Sequence, residues 1–365
     1  MPKKILSIVS SLLVAGLVTT SPLVAQAGEP VLSNIQPSSP QLKDLLDEGH
    51  KRVDAGDISG ALAIYQQAAN LDSRNPRIFS GIGYLQAVQG NFPASAVAYR
   101  QAIALDPNNA NFYYALGYSL ANAGDNSAAA AAYRRTIQLD QKNVKAYLGL
   151  GVVLLRQRDF NGTIEIYKQV IALDPKNVEA YELLSSSLIQ QNRPQEAIEA
   201  LSKAAKIAPR NGSLQLKIGV IWASQGNLTA GLTALEQAVK LEPRNPQVHL
   251  QMGKILQAQG NLDKALAAYE KAISLQPDFV EAQASIGQIS MVRQDFVTAI
   301  IAYRRLVEMA PQNAQAYYNL GIALKERQRN QEAITALETA RELYRRQGQN
   351  DAVQKTEATL RELKN

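Results

Sequence analysis

Residues 107–141 read PNNANFYYALGYSLANAGDNSAAAAAYRRTIQLDQ, and this stretch is one complete structural unit. Pro107 lacks an amide N–H and cannot continue a helix, so it closes off what precedes it. Asn109 stands just before an apolar run, where its side chain can cap a helix. Tyr113, Leu116, Gly117 and Leu120 then recur at helical spacing. Gly124 ends that run at a position suited to a positive φ. Ala129 and Tyr133 lie in a second run, which reaches the turn acid Asp140.

The same pattern repeats outward in both directions. Pro107, Pro175, Pro209, Pro243, Pro277 and Pro311 fall on one 34-residue grid, with Gln141 in the one empty slot. Asn75, Asn109, Asn143, Asn177, Asn211, Asn245 and Asn313 recur in register, as do Tyr65, Tyr99, Tyr133, Tyr167, Tyr269 and Tyr303. Gly49, Gly83, Gly117, Gly151, Gly219, Gly253, Gly287 and Gly321 hold one register. Glycine inside a helix costs roughly 1 kcal/mol against alanine. Eight glycines at one register therefore predict close helix-to-helix approach, where a side chain would collide. A second series, Gly56, Gly90, Gly124, Gly226 and Gly260, falls between the two helices of a unit.

A period in this range is the mark of a repeat array. The W-x2-L-G-x2-Y…A-x3-F…P pattern is matched by Tyr113, Leu116, Gly117, Leu120, Ala129 and Tyr133, and again by Tyr317, Leu320, Gly321, Leu324, Ala333 and Leu337. The chain thus resembles the tetratricopeptide repeat (TPR) family. The resemblance implies an all-α, right-handed superhelical solenoid of about nine two-helix units over residues 42–347, with a C-terminal capping helix over 348–365. Some units depart from the pattern. Ser185 replaces glycine in the fifth unit, and Gln215 and His249 take the large-aromatic position in the sixth and seventh. Glu48 stands where leucine is expected, which reads as a polar N-terminal cap. Lys355 occupies the glycine register after Gln347, so the last helix reads as solvating. Arrays of this kind need polar ends.

Residues 1–27 read as a signal peptide: Lys3 and Lys4, an apolar run from Ile5 to Val18, and Ala25-Gln26-Ala27 as a cleavage site. The protein is then exported, to the periplasm or the thylakoid-lumen side. The rival reading is a membrane anchor left uncleaved, because Ile5 to Ala25 carries no charge. Residues 28–41 contain three prolines and read as a linker. With no cysteine in the chain, disulfides, thiol chemistry and Cys-ligated zinc are excluded. The formal net charge of +6 is spread along the chain and argues only weakly for nucleic acid, which is not expected as a partner.

Catalysis finds little support. His50 and His249 are far apart in sequence, and His249 sits at a packing position. No nucleophile elbow, phosphate loop or H-E-x-x-H is present. Asp72, Asp106, Asp140 and Asp174 read as turn and cap residues. The chain is therefore read as a non-enzyme that needs no cofactor. One metal candidate stands: Asp47, His50 and Asp54, spaced to share a helix face, with ligands that suit manganese, iron or zinc.

The family resemblance implies that first-helix positions 2, 5, 9, 12 and 13 face a concave groove. Carried onto units two to four, these are Arg77, Tyr84, Asn111, Tyr114, Tyr118, Asn122, Lys145 and Arg156. Tyrosine and arginine are the residues that binding hot spots favour. No three consecutive units supply the two-carboxylate clamp of chaperone-tail TPR domains. The expected partner is a protein client, held as a peptide or helix, with peripheral association with membrane complexes. The layout resembles exported cyanobacterial TPR assembly factors of the photosystem II type, which implies a role in thylakoid biogenesis through manganese delivery or a pigment-synthesis partner. The alternative is a cell-envelope adaptor for secretion, polysaccharide or peptidoglycan machinery.

Overall fold

Nearly every helix starts where a short polar side chain can take up an orphan backbone N–H. The computed structural model describes residues 38–364; the leader expected over 1–27 and residues 28–37 of the expected linker lie outside the described residues. Nineteen α-helices and no strand make up the described chain. They form nine successive pairs: α1 (Pro40–Asp54) with α2 (Ile58–Leu71), α3 (Pro76–Val88) with α4 (Phe92–Leu105), α5 (Ala110–Asn122) with α6 (Asn126–Leu139), α7 (Val144–Arg156) with α8 (Phe160–Leu173), and α9 (Val178–Gln190) with α10 (Pro194–Ile207). Then come α11 (Gly212–Ser224) with α12 (Leu228–Leu241), α13 (Pro246–Ala258) with α14 (Leu262–Leu275), α15 (Val280–Val292) with α16 (Phe296–Met309), and α17 (Ala314–Glu326) with α18 (Asn330–Arg346). A final helix, α19 (Asn350–Lys364), follows.

The seven grid asparagines each cap a first helix through the side-chain oxygen, as Asn109 does by accepting from the Asn111 amide at 3.2 Å. Such a cap contributes about 1 kcal/mol. The turn acids hold these caps in place. Asn109, Asn143 and Asn177 donate their side-chain amides to Asp106, Asp140 and Asp174 at 3.2, 3.2 and 3.3 Å. Ser39 caps α1 and Pro40 is its first residue, so this helix begins two residues inside the stretch expected as linker.

Within a pair, the glycine of the first helix faces the large residue sixteen positions later on the second. A Cβ on Gly83, Gly117, Gly253 or Gly287 would come within 2.9 Å of the ring of Tyr99, Tyr133, Tyr269 or Tyr303. On Gly151 it would stand 2.6 Å from Tyr167 Cζ. The glycine supplies the space, and the tyrosine ring fills it. Where the second helix carries leucine, the contact persists at Gly219 with Leu235 and at Gly321 with Leu337. The fifth pair has Ser185 in register with Leu201, both fully buried.

Gly124 ends the first helix of its pair at φ 89°, as its register predicts. Four units put a side chain at the same left-handed position: Arg158, Asn192, Gln294 and Gln328, at φ 57–61°. L-residues adopt that conformation at a cost of about 1–2 kcal/mol.

Contacts divide the described chain into two compact units that meet in sequence at Ala208 and Pro209. In the first, the described part holds five pairs, each packed on the next. Its cores join Leu42, Tyr65, Ile78 and Leu85 in the first two pairs, and Tyr99, Tyr114, Tyr133 and Leu150 in the second to fourth. The second unit holds four pairs and α19. One of its cores runs from Leu250 through Tyr269 to Ile289, and another from Tyr318 through Tyr344 to Leu360. Helix α19 buries Val353, Thr356, Thr359 and Leu360 and exposes Asp351, Lys355, Arg361 and Glu362, so its outer side is polar. Among the described residues no helix is long and apolar enough to cross a membrane.

Candidate functional site

Within each of the two units every helix packs on its neighbours in sequence, and in the first unit first helices also touch first helices: α3 with α5, and α5 with α7. In a curved stack the inner elements approach one another most closely, so the first helices form the inner layer of the 38–208 stack. Seven of the eight residues expected in the groove keep exposed or half-exposed side chains on this layer. Arg77, Asn111, Asn122, Lys145 and Arg156 are exposed, and Tyr84 and Tyr118 are half-buried.

Tyr114 corrects the expectation. It is only 8% exposed and joins the core of the second to fourth pairs. Its ring leans on Tyr133, with centroids 5.9 Å apart at 54°. Burial, with the neighbouring Tyr118 adding to it, pushes its hydroxyl pKa up to about 12. This side chain is the floor of the face and serves stability.

Two of the exposed groups are held in place. Asn122 donates its amide to the Tyr118 carbonyl at 2.8 Å. Arg156 donates from Nη1 to the Ala121 carbonyl at 2.9 Å, which ties α7 to the end of α5. That bond leaves most of the guanidinium fork for a ligand. Tyr118 stands edge-on to Phe92, with centroids 6.2 Å apart at 71°. Phe92 is a residue the grid could have flagged, because Phe160 and Phe296 share its register.

The metal candidate does not assemble. Among the described residues no three His, Asp or Glu side chains come together as ligands. Asp47 and Asp54 are exposed, and the His50 ring turns toward Tyr65, with centroids 6.3 Å apart. Helical spacing puts the three on one side of α1, but the carboxylates point out to water and the imidazole lies against its own pair. His249 is likewise no base in a cleft: its Nε2 lies 3.1 Å from the Pro243 carbonyl in an exposed turn.

The sequence profile of the family described as tetratricopeptide repeat matches residues 114–178, 216–278, 250–314 and 294–351. A second profile of that description matches 154–217, and one described as TPR repeat matches 49–90 and 87–124. No curated protein matches the chain. Among solved structures, the C-terminal part of a TPR repeat-containing protein from Cytophaga hutchinsonii is similar at 15% identity and TM-score 0.57, over 65% of this chain and 98% of that one. A tetratricopeptide repeat protein from Parabacteroides merdae is similar at 15% identity and TM-score 0.50, over 69% of this chain and 100% of its own. YrrB, described as a TPR protein with an unusual peptide-binding site, matches at 22% identity and TM-score 0.44, over 52% of this chain and 98% of its own.

Proposed function

The chain belongs to the tetratricopeptide-repeat family, and on that premise we propose that it is a non-catalytic scaffold that holds a segment of a client protein. The seat is the inner layer of the second to fourth pairs. One observation carries the reading: Tyr118, Asn111 and Asn122 share that layer and keep polar or aromatic surface open to solvent. Tyrosine offers a large contact area at low entropic cost, and side-chain amides can pair with an extended backbone.

The leader-like segment supports export to the periplasm or the thylakoid-lumen side, where the scaffold acts as an assembly factor. Photosystem II biogenesis and envelope machinery both have clients in such compartments. A photocrosslinker at residue 111 of the mature protein, incubated with solubilised membranes, tests the seat and names the client. Crosslinks are expected from residue 111 and not from residue 134 on the outer helix α6. Equal capture from both positions would contradict the inner layer as the seat. Photosystem precursors among the products mark the first pathway, and secretion or envelope enzymes the second.

A further inference from the structure

The sixth pair departs from the repeat at two positions. Gln215 stands where Tyr113, Tyr147, Tyr181 and Tyr317 supply a large ring in other pairs. Trp222, the only tryptophan in the chain, stands where other pairs carry leucine, as at Leu120, Leu154, Leu188, Leu256 and Leu324. The contact between α11 and α12 is already filled. A Cβ on Gly219 would come within 2.8 Å of Leu235 and 2.9 Å of the Gly231 carbonyl oxygen. Trp222 stays half-buried. Beside it lies a cleft of about 450 Å³, lined only by residues of α11, α12 and the turn between them. That volume is in the range of small-ligand sites.

The lining is polar and uncharged. Around Trp222 stand Gln215, Asn227, Thr229, Thr233 and Gln237. The charged residues of α12 that follow them, Glu236 and Lys240, do not line the cleft. Much of the hydrogen-bonding capacity is unused. Gln215, Gln237 and the Trp222 indole make no side-chain hydrogen bond among the described residues. Asn227 Oδ1 accepts from the Ala230 amide at 3.0 Å, which leaves its own side-chain N–H groups to donate. Thr233 donates to the Thr229 carbonyl at 3.1 Å and keeps its lone pairs. The Trp222 carbonyl accepts from the Gln225 and Asn227 amides at 3.1 and 3.0 Å, so the indole is presented from a fixed turn.

We propose that this cleft binds a neutral carbohydrate, with one sugar ring against the indole face and its hydroxyls paired with the surrounding amides and threonines. One face of a sugar ring presents slightly positive C–H bonds, which the electron-rich face of an indole attracts. Sugar hydroxyls both donate and accept, as do the groups of the lining. An ionic ligand would lose hydration here and meet no countercharge. A purely apolar ligand would strip water from the polar side chains and give nothing back. A proline-rich segment is the competing occupant, because it too stacks on aromatic rings. The grooves that take such segments are lined by aromatics, whereas this cleft has a single aromatic residue. The cleft belongs to the second unit and the protein seat to the first, so the two readings stand or fall separately.

The test uses the mature chain and Trp222 emission, to which no other tryptophan contributes. The neutral probes are cellotriose, maltotriose and triacetylchitotriose. Trigalacturonic acid and decaproline are run beside them. At least one neutral trisaccharide is expected to shift the emission to shorter wavelength and to saturate with a Kd below about 1 mM. Trigalacturonic acid and decaproline are expected to bind at least about tenfold more weakly. Trp222→Leu restores the residue of other pairs, and calorimetry is expected to show binding weakened more than about tenfold with the helical circular dichroism kept. Gln237→Ala, at an exposed position of α12, is expected to weaken binding about fivefold with an unchanged unfolding midpoint. No emission change with any of the three trisaccharides would overturn the proposal. Unchanged affinity in Trp222→Leu would place the sugar elsewhere and overturn the site. Tighter binding of decaproline than of every trisaccharide would make the cleft a peptide groove instead. If Trp222→Leu loses its helical signal, Gln237→Ala decides alone, and unchanged affinity there overturns the proposal.

Discussion

The inner positions of the second to fourth pairs differ from those of the seventh to ninth, although both lie on the same 34-residue grid. In the later pairs the chain satisfies itself. Lys254 Nζ on α13 lies 2.5 Å from Glu281 Oε1 on α15. Lys325 on α17 reaches Glu362 on α19 at 2.6 Å, and the Lys355 ammonium sits 5.1 Å from the centre of the Tyr318 ring. In the earlier pairs α3 and α7 carry Arg77, Lys145 and Arg156, α5 carries no charged residue, and none of the three has a carboxylate. The repeat therefore sets position, and the residues at the variable slots decide whether a position supports the fold or faces a partner.

The largest effect tests the floor of each region. Tyr114 and Tyr318 occupy the same repeat position and are 8% and 9% exposed. Alanine at either is expected to cost about 3 kcal/mol in urea unfolding. A loss under about 1 kcal/mol at Tyr114 would return it to the binding surface. Gly151→Leu comes next. It would drive a side chain into the Tyr167 ring and is expected to cost about 2 kcal/mol. An unchanged unfolding midpoint would refute the glycine–tyrosine packing.

The ion pairs give a smaller contrast. Lys254→Ala leaves Glu281 without its partner and is expected to lower stability by about 1 kcal/mol. Lys145→Ala is expected to change stability by less than about 0.5 kcal/mol. Equal losses would mean that the earlier cations are as structural as the later ones.

The smallest effect concerns two buried tyrosines. Tyr303 accepts from the Asn319 amide at 3.2 Å, whereas the Tyr167 hydroxyl has no hydrogen-bond partner among the described residues. Tyr303→Phe is expected to cost about 0.5–1 kcal/mol and Tyr167→Phe to cost nothing or to stabilise slightly. The same sign and size at both sites would remove the distinction.

Much of this was legible in the sequence. Proline, asparagine and glycine punctuate the helices because each supplies one backbone property that few other residues share. The close approach at Gly83 and Gly117 was expected, but not that a tyrosine sixteen residues on fills the space. That contact depends on how the pair crosses, which periodicity does not encode. Arg158, Asn192, Gln294 and Gln328 hide their left-handed backbone, because the grid marks that position only where glycine occupies it. Tyr114 was placed on the groove by repeat position alone. Position gives the direction of a side chain and not its depth, and Tyr133 draws this ring into the core. The acid–histidine set on α1 failed for a related reason: one helix face does not guarantee that three side chains converge.

The measurement that tests the central claim most directly is client affinity of Tyr84→Ala/Tyr118→Ala beside that of Lys254→Ala/Lys325→Ala. The first pair is expected to weaken binding by more than about tenfold while keeping the helical circular dichroism, and the second to leave affinity within about twofold. Unchanged affinity in the first pair, or a greater loss in the second, would contradict the inner layer of the second to fourth pairs as the place where the client is held.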